Sequence, residues 1–198
     1  MRVRGSWLAG CVLATLIGSG CASRTVVTRV DPGEQIDLSG QWNDSDSRLV
    51  SDEMIADCLK QPWRERFGKS PTIIAGSIRN LSLEHIPVGT FVKDIERALV
   101  NSGDAQVVAS AAERGELRDE KADQRINASP ETLKEMGREV GADFMLIGEI
   151  NQIVDKEKGD EVRFYQVDLS LVNIETNVKA WIGQKKIKKF VSSKKYKP

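Results

Sequence analysis

Apolar residues fall into segments with distinct periods along this chain. Leu49, Val50, Met54, Ile55, Cys58 and Leu59 recur at helical spacing, which predicts an amphipathic helix after the polar knot Asn43-Asp44-Ser45-Asp46-Ser47. An Asp or Ser of that knot is the expected N-cap, and Gln61-Pro62-Trp63 the expected stop. Pro71 to Asn80, PTIIAGSIRN, reads as a buried strand, with His85-Ile86-Pro87 in the loop beyond it. Thr90 is then expected to cap a helix that turns Phe91, Val92, Ile95, Leu99 and Val100 inward and closes at Gly103. A short strand, residues 106–109, follows. Ser110 and Glu113 have capping-box spacing ahead of a very polar helix to about Gln124. Ser129-Pro130-Glu131 opens another helix, ended by Gly141. The remainder alternates with period two: Phe144 to Val154, a turn at Lys158-Gly159-Asp160, Glu161 to Asn173, a turn at Glu175-Thr176-Asn177, and Val178 to Phe190.

The implied fold class is α/β: a single domain whose mixed sheet has helices packed mainly on one face, with a C-terminal antiparallel meander. No internal repeat and no second domain are visible.

The first residues follow other rules. In LAGCVLATLIGSGCAS, residues 8–23, an uncharged run from Trp7 to Gly20 follows Arg2 and Arg4. The run is short of the roughly 20 apolar residues that cross a bilayer. It has the build of an export signal, and its exit resembles a lipoprotein box, where a cysteine behind small residues takes a diacylglycerol. Cys11 fits the local pattern, but leaves too short an apolar core before it. Cys21 leaves Trp7 to Ile17 and is the expected lipidated residue. Ala22 behind it, in place of Asp, implies by the same resemblance the outer membrane with the domain facing the periplasm. The chain then divides into residues 1–20 (signal), 21–37 (lipidated cysteine and tether with one short strand, Thr25 to Val30), 38–190 (domain) and 191–198 (basic tail). The tether reaches about 55 Å when fully extended.

Without residues 1–21 the chain has 27 basic and 29 acidic side chains, a net charge of −2. Seven lysines and no acids lie from Lys185 onward, so residues 22–184 carry −9. An acidic body argues against nucleic acid as a partner. The lysines fit an edge strand guarded against stray pairing. Cys58 has no cysteine left to pair with, and its apolar neighbours mark a buried, inert thiol.

Catalytic chemistry finds little support. The chain holds one histidine, His85, without G-x-S-x-G, and no phosphate-binding or dinucleotide glycine motif. One histidine and one free cysteine make no usual zinc site. Asp44 to Arg48 starts like a calcium loop but lacks its glycine and its closing glutamate, so no metal and no cofactor are expected. Carboxylates abound, yet no pair is singled out for hydrolysis of a glycan. Three sequon triplets, at Asn43, Asn80 and Asn127, carry no weight beside a bacterial signal. The residues chosen as a partner-binding rim are Trp42, Asn43, Asp44, Arg48, Arg79 and Asn80, with Trp42 the tryptophan expected at the surface.

DLSGQWNDSDSRLV (37–50), IRN with HI (78–80 and 85–86), FVKDIERAL (91–99), GADFMLIGEI (141–150), FYQVDLSLVNIET (164–176) and KAWIGQKKIKK (179–189) resemble the LpoB family, lipoprotein activators of penicillin-binding proteins. The resemblance implies an outer-membrane lipoprotein without a catalytic centre that binds and stimulates a class A peptidoglycan synthase. It also implies a mixed α/β fold, shared with the N-terminal domain of the Tol-system propeller protein and with the curli-secretion lipoprotein. Residues 22–37 are short beside the long tether of the enterobacterial member. The rival reading is an envelope assembly or secretion lipoprotein similar to the curli exporter, which needs further long alternating strands to line a barrel.

Overall fold

The computed structural model describes residues 25–131 and 139–192. The chain divides into two compact units, Met1–Pro32 and Gly33–Pro198. In the first, residues 25–30 form no strand: the expected strand from Thr25 to Val30 has no partner among the described residues. The signal, Cys21, the tail beyond Ser192 and most of the helix expected after Ser129 lie outside the described residues.

The second unit opens with α1 (Asp44–Lys60), α2 (Trp63–Phe67), β1 (Thr72–Asn80), α3 (Val88–Ser102), β2 (Gln106–Val107) and α4 (Ala111–Asn127). It closes with β3 (Phe144–Glu157), β4 (Asp160–Asn173) and β5 (Lys179–Ser192). The five strands form one sheet in the order β2-β1-β3-β4-β5. β1 runs parallel to β2 and β3, while β3, β4 and β5 are antiparallel neighbours. This is the mixed sheet and meander that the alternation implied.

The meander follows from local chemistry. β3 and β4 pair residue for residue from Phe144↔Asn173 to Glu157↔Asp160 across the two-residue turn Lys158-Gly159. Both turn residues have positive φ, 49° and 95°, the backbone that matches the twist of the flanking strands. Tyr165, Val167, Leu169 and Leu171 are buried from alternate positions of β4, so period two places them all on one face. Against that face α1 contributes Val50, Met54, Ile55 and Cys58, and α3 contributes Phe91, Ile95 and Leu99. Trp63 and Phe67 of α2 meet Phe144 edge to face at 5.2 and 4.9 Å.

β1 carries one extra residue between Ala75 and Ile78 relative to β3. Gly76 sits in that bulge, where a Cβ would meet Ile147, Met145 and the Leu146 carbonyl at 2.9 Å. The bulge returns Ile78 to the core phase and turns Arg79 to the opposite face, the helix-free one among the described residues.

Two helix starts differ from expectation. α1 is capped by Asn43, whose side chain accepts the Asp46 N–H while Asp46 accepts the Asn43 N–H. The polar knot is therefore the first turn of the helix, and its Asp residues complement the N-terminal dipole. α3 begins two residues before Thr90, with Pro87 at the N-cap position and no side-chain cap. Its Val100 is 56% exposed, not inward. Gly103 closes α3 with φ of 70°, and Ser110 with Glu113 forms the expected capping box of α4, which buries nothing.

Candidate functional site

Asn43 and Asp44 stand at the start of α1, Trp42 just before it, and Arg48 one turn on. Arg79 and Asn80 end β1. The structure gathers five of these six on the helix-covered side of the sheet and sends Arg79 to the other.

Trp42 is half-buried and packs against the edge of the core. Its ring packs edge to face on Tyr165 (5.6 Å) and Phe91 (6.2 Å), and its indole N–H donates to Ser47 Oγ at 2.7 Å. The polar tip of an otherwise apolar ring thus finds its partner inside the protein. Asn43 is engaged as the cap and also donates from Nδ2 to Asp37 at 2.6 Å. Asp44 is exposed. Arg48, half-buried, donates to the Gly33 carbonyl at 3.3 Å. Asn80 donates to the Glu84 carbonyl at 2.7 Å and accepts from Ser82. Arg79 pairs with Glu149 across the helix-free face at 2.6 Å.

Glu84, in the loop between β1 and α3, is what joins the groups. Its Oε2 accepts the Trp42 backbone N–H at 3.0 Å. Its Oε1 accepts from Tyr165 Oη at 2.7 Å, Arg163 at 2.6 Å and Gln152 Nε2 at 2.5 Å. Both charged side chains are largely covered, Glu84 being 12% and Arg163 17% exposed. Burial pushes the Glu84 carboxyl up. The bonds from Trp42, Tyr165 and Gln152 and the charge of Arg163 outweigh it and hold the group below its ordinary range. Tyr165 moves the other way: burial, then the neighbouring Glu84, push its phenol up to about 12. One carboxylate therefore fastens the Trp42 segment, the 81–87 loop, β3 and β4 together.

A second tie lies alongside. Lys189 of β5, 13% exposed, reaches Asp46 at 2.6 Å and Asp37 at 3.0 Å and the Gln41 carbonyl at 3.1 Å. Lys185 pairs with Glu53 of α1, and the Trp181 indole N–H donates to Asp57 at 2.9 Å. Two of the lysines expected to guard an edge strand thus hold it to α1.

Neither Glu84 nor Lys189 is among the residues chosen from sequence. A signal for the first exists: Arg163 occupies the buried phase of β4, two residues from Tyr165, and a charge there requires a partner. The arrangement suits holding a surface in shape. Cys58 is buried, and that burial, then Asp57, pushes its thiol up to about 12, far from a nucleophile's range. Among the described residues no group of three or more His, Cys, Asp or Glu side chains could hold a metal. No helix of the described residues is long and apolar enough to cross a membrane.

A family profile described as peptidoglycan-synthase activator LpoB matches residues 46–187. Among solved structures, the chain is similar to the LpoB C-terminal domain from Salmonella enterica, with 15% identity over 72% of this chain and 98% of that one and a TM-score of 0.43. It is similar to the LpoB C-terminal domain from Escherichia coli, with 15% identity, 71% and 94% coverage and a TM-score of 0.38. Lipoprotein GNA1162 from Neisseria meningitidis shares 18% identity over 61% of this chain and 83% of that one, with a TM-score of 0.38. No curated protein sequence matches.

Proposed function

Because the chain belongs to the peptidoglycan-synthase activator LpoB family, we propose that it is an outer-membrane lipoprotein that binds and activates a class A penicillin-binding protein. In this reading Cys21 is processed and lipidated, and the Gly33–Pro198 unit faces the periplasm. The match from Asp46 to Ile187 carries the proposal, since it runs from the first turn of α1 almost to the end of β5. The protein itself transforms nothing. It acts by docking, and it raises the synthase's activity only as far as it binds the active conformation better than the inactive one.

The proposed contact is the start of α1, with Asp44 exposed, Arg48 half-buried beside it and Asn43, Trp42 and Asn80 holding the surface behind them. Arg79 belongs to a separate surface on the helix-free face. Adding the purified, mature-length protein to the organism's class A synthase is expected to raise glycan polymerisation or crosslinking. An unchanged rate at saturating protein overturns the activator reading. Arg48→Glu and Arg79→Glu, tested one at a time by pull-down of that synthase, separate the two surfaces. If neither weakens capture, the contact assignment fails. Palmitate labelling that persists in Cys21→Ser removes the anchor.

A further inference from the structure

The face of the sheet opposite α1 and α3 carries an ordered pattern where β3, β4 and β5 run together. The strand register sets it out in rows. Asn151, Gln166 and Lys186 form one row, and Ile153, Phe164 and Lys188 the next. Asp155, Val162 and Phe190 follow. Period two puts all of them on the side away from the buried Tyr165 and Val167. The apolar members are adjacent. Ile153 is 66% and Phe190 67% exposed, with Phe164 and Val162 half-buried between them.

Most other charges of this face are engaged by neighbours. Glu149 pairs with Arg79 and Glu157 with Lys158. Asp168 accepts from Gln166 and Gln184, and Asp160 from the Ser192 hydroxyl. Asp155, Lys186 and Lys188 are exposed and have no ion pair among the described residues. The unpaired acid lies on the β3 side of the apolar group, and both unpaired lysines lie on the β5 side.

We propose that this face binds a second copy of the chain, sheet against sheet, about a twofold axis parallel to β4. Such an axis lays β5 of each copy over β3 of the other. Phe164 meets its counterpart on the axis. The stem of Lys188 covers the partner's Ile153, and its ammonium reaches the partner's Asp155 one row on. The same contact recurs on the other side of the axis. A copy is the fitting occupant because the patch complements itself: base over acid twice, apolar over apolar between. These side chains present on the order of 500 Å² per copy, about 1,000 Å² in all, the size of a weak, reversible dimer. The axis also keeps both chain entries at one end of the pair, since residues 37–40 lie beside 189–192. Two chains anchored at Cys21 in one membrane need that arrangement, although the pairing itself does not rest on the anchor.

The test is sedimentation velocity of the mature-length chain carrying Cys21→Ser, which removes both the acyl chain and a thiol that could crosslink. A shift from monomer to dimer is expected, with a Kd on the order of 100 µM. Lys188→Glu sets acid against acid twice, and Asp155→Lys sets base against base twice. Each is expected to weaken dimerisation about 25-fold, because a rim pair is worth up to about five-fold and occurs twice. Lys188→Glu combined with Asp155→Lys reverses both pairs and restores the dimer. Lys179→Glu, at the far end of β5, changes nothing. A monomer at every concentration up to about 1 mM overturns the proposal. So does a dimer that neither single change weakens, or a double variant that dimerises no better than the single ones. A chain that stays monomeric and loses capture of the class A synthase in Asp155→Lys gives the face to the synthase, and also overturns it. Failure of the activator or anchor reading leaves the sedimentation result standing.

Discussion

Replacing Glu84 by alanine removes the acceptor of four donors, and the structure says which of them are left without a partner. Arg163 keeps Glu161. The single O–H of Tyr165 lies between two acceptors, Glu84 at 2.7 Å and the Gly40 carbonyl at 2.9 Å, and turns wholly to the second. The Trp42 N–H and the Gln152 amide lose the partners seen here. An orphaned donor costs about 1–3 kcal/mol, which gives about 2–6 kcal/mol for the pair. Both sites are half-buried, so water recovers part of the loss and about 2–3 kcal/mol is expected. In a unit of this size that lowers the melting temperature by roughly 4–12 °C. Glu84→Gln does not rescue it, because its new NH2 group must face a donor. Urea unfolding followed by tryptophan fluorescence measures the change, with Trp42 as a reporter inside the affected segment. A double-mutant cycle with Arg163→Met isolates the ion pair, and a coupling of about 1 kcal/mol or more is expected. A loss of unfolding free energy under about 0.5 kcal/mol, or zero coupling, would refute the claim that this carboxylate fastens four segments.

Asn43→Ala removes the α1 cap and is expected to cost about 1 kcal/mol in the same unfolding assay. Ser45 Oγ is buried with no hydrogen-bond partner among the described residues, so Ser45→Ala is expected to cost nothing or to gain up to about 1 kcal/mol. Cys58 should resist a thiol reagent in the native state and react fully in denaturant, as followed by absorbance of the released chromophore. The Lys93 hydrogen bond, with those from Ser110, holds the Glu113 carboxyl at about 2. Its folded value lies below its unfolded one, so its stabilising effect is present above about pH 4.5 and is lost as pH falls toward 2. An NMR titration should place its midpoint there, and Lys93→Ala should move it back toward the ordinary range.

The legible parts of the fold were those whose signal is local. Period two in β4 revealed Tyr165, Val167, Leu169 and Leu171 because one face of that strand is buried along its length. Ser110 and Glu113 revealed a helix start because both halves of the capping box lie three residues apart. Asn43 was missed as a cap because its knot offers several candidate caps in a row, and only the return bond from Asp46 decides among them. Trp42 was assigned to the surface because its sequence neighbours are polar. Its actual neighbours, Phe91 and Tyr165, are brought to it by the sheet. Glu84 is a lone acid in a loop, and its donors come from residues 42, 152, 163 and 165, which no window of sequence contains.

The order of strands has a kinetic consequence. The β3–β4 hairpin closes across two residues, whereas Ile73 must find Phe144 across about 70. By loop-closure entropy the second contact is costlier by about 3 kcal/mol, so the hairpin is the natural nucleus and the parallel pairing a late event. The nucleus lies in the last third of the chain. Until those residues emerge, α1, β1 and α3 can pack only on one another, and the part of their core supplied by Val167, Leu169 and Leu171 is still missing.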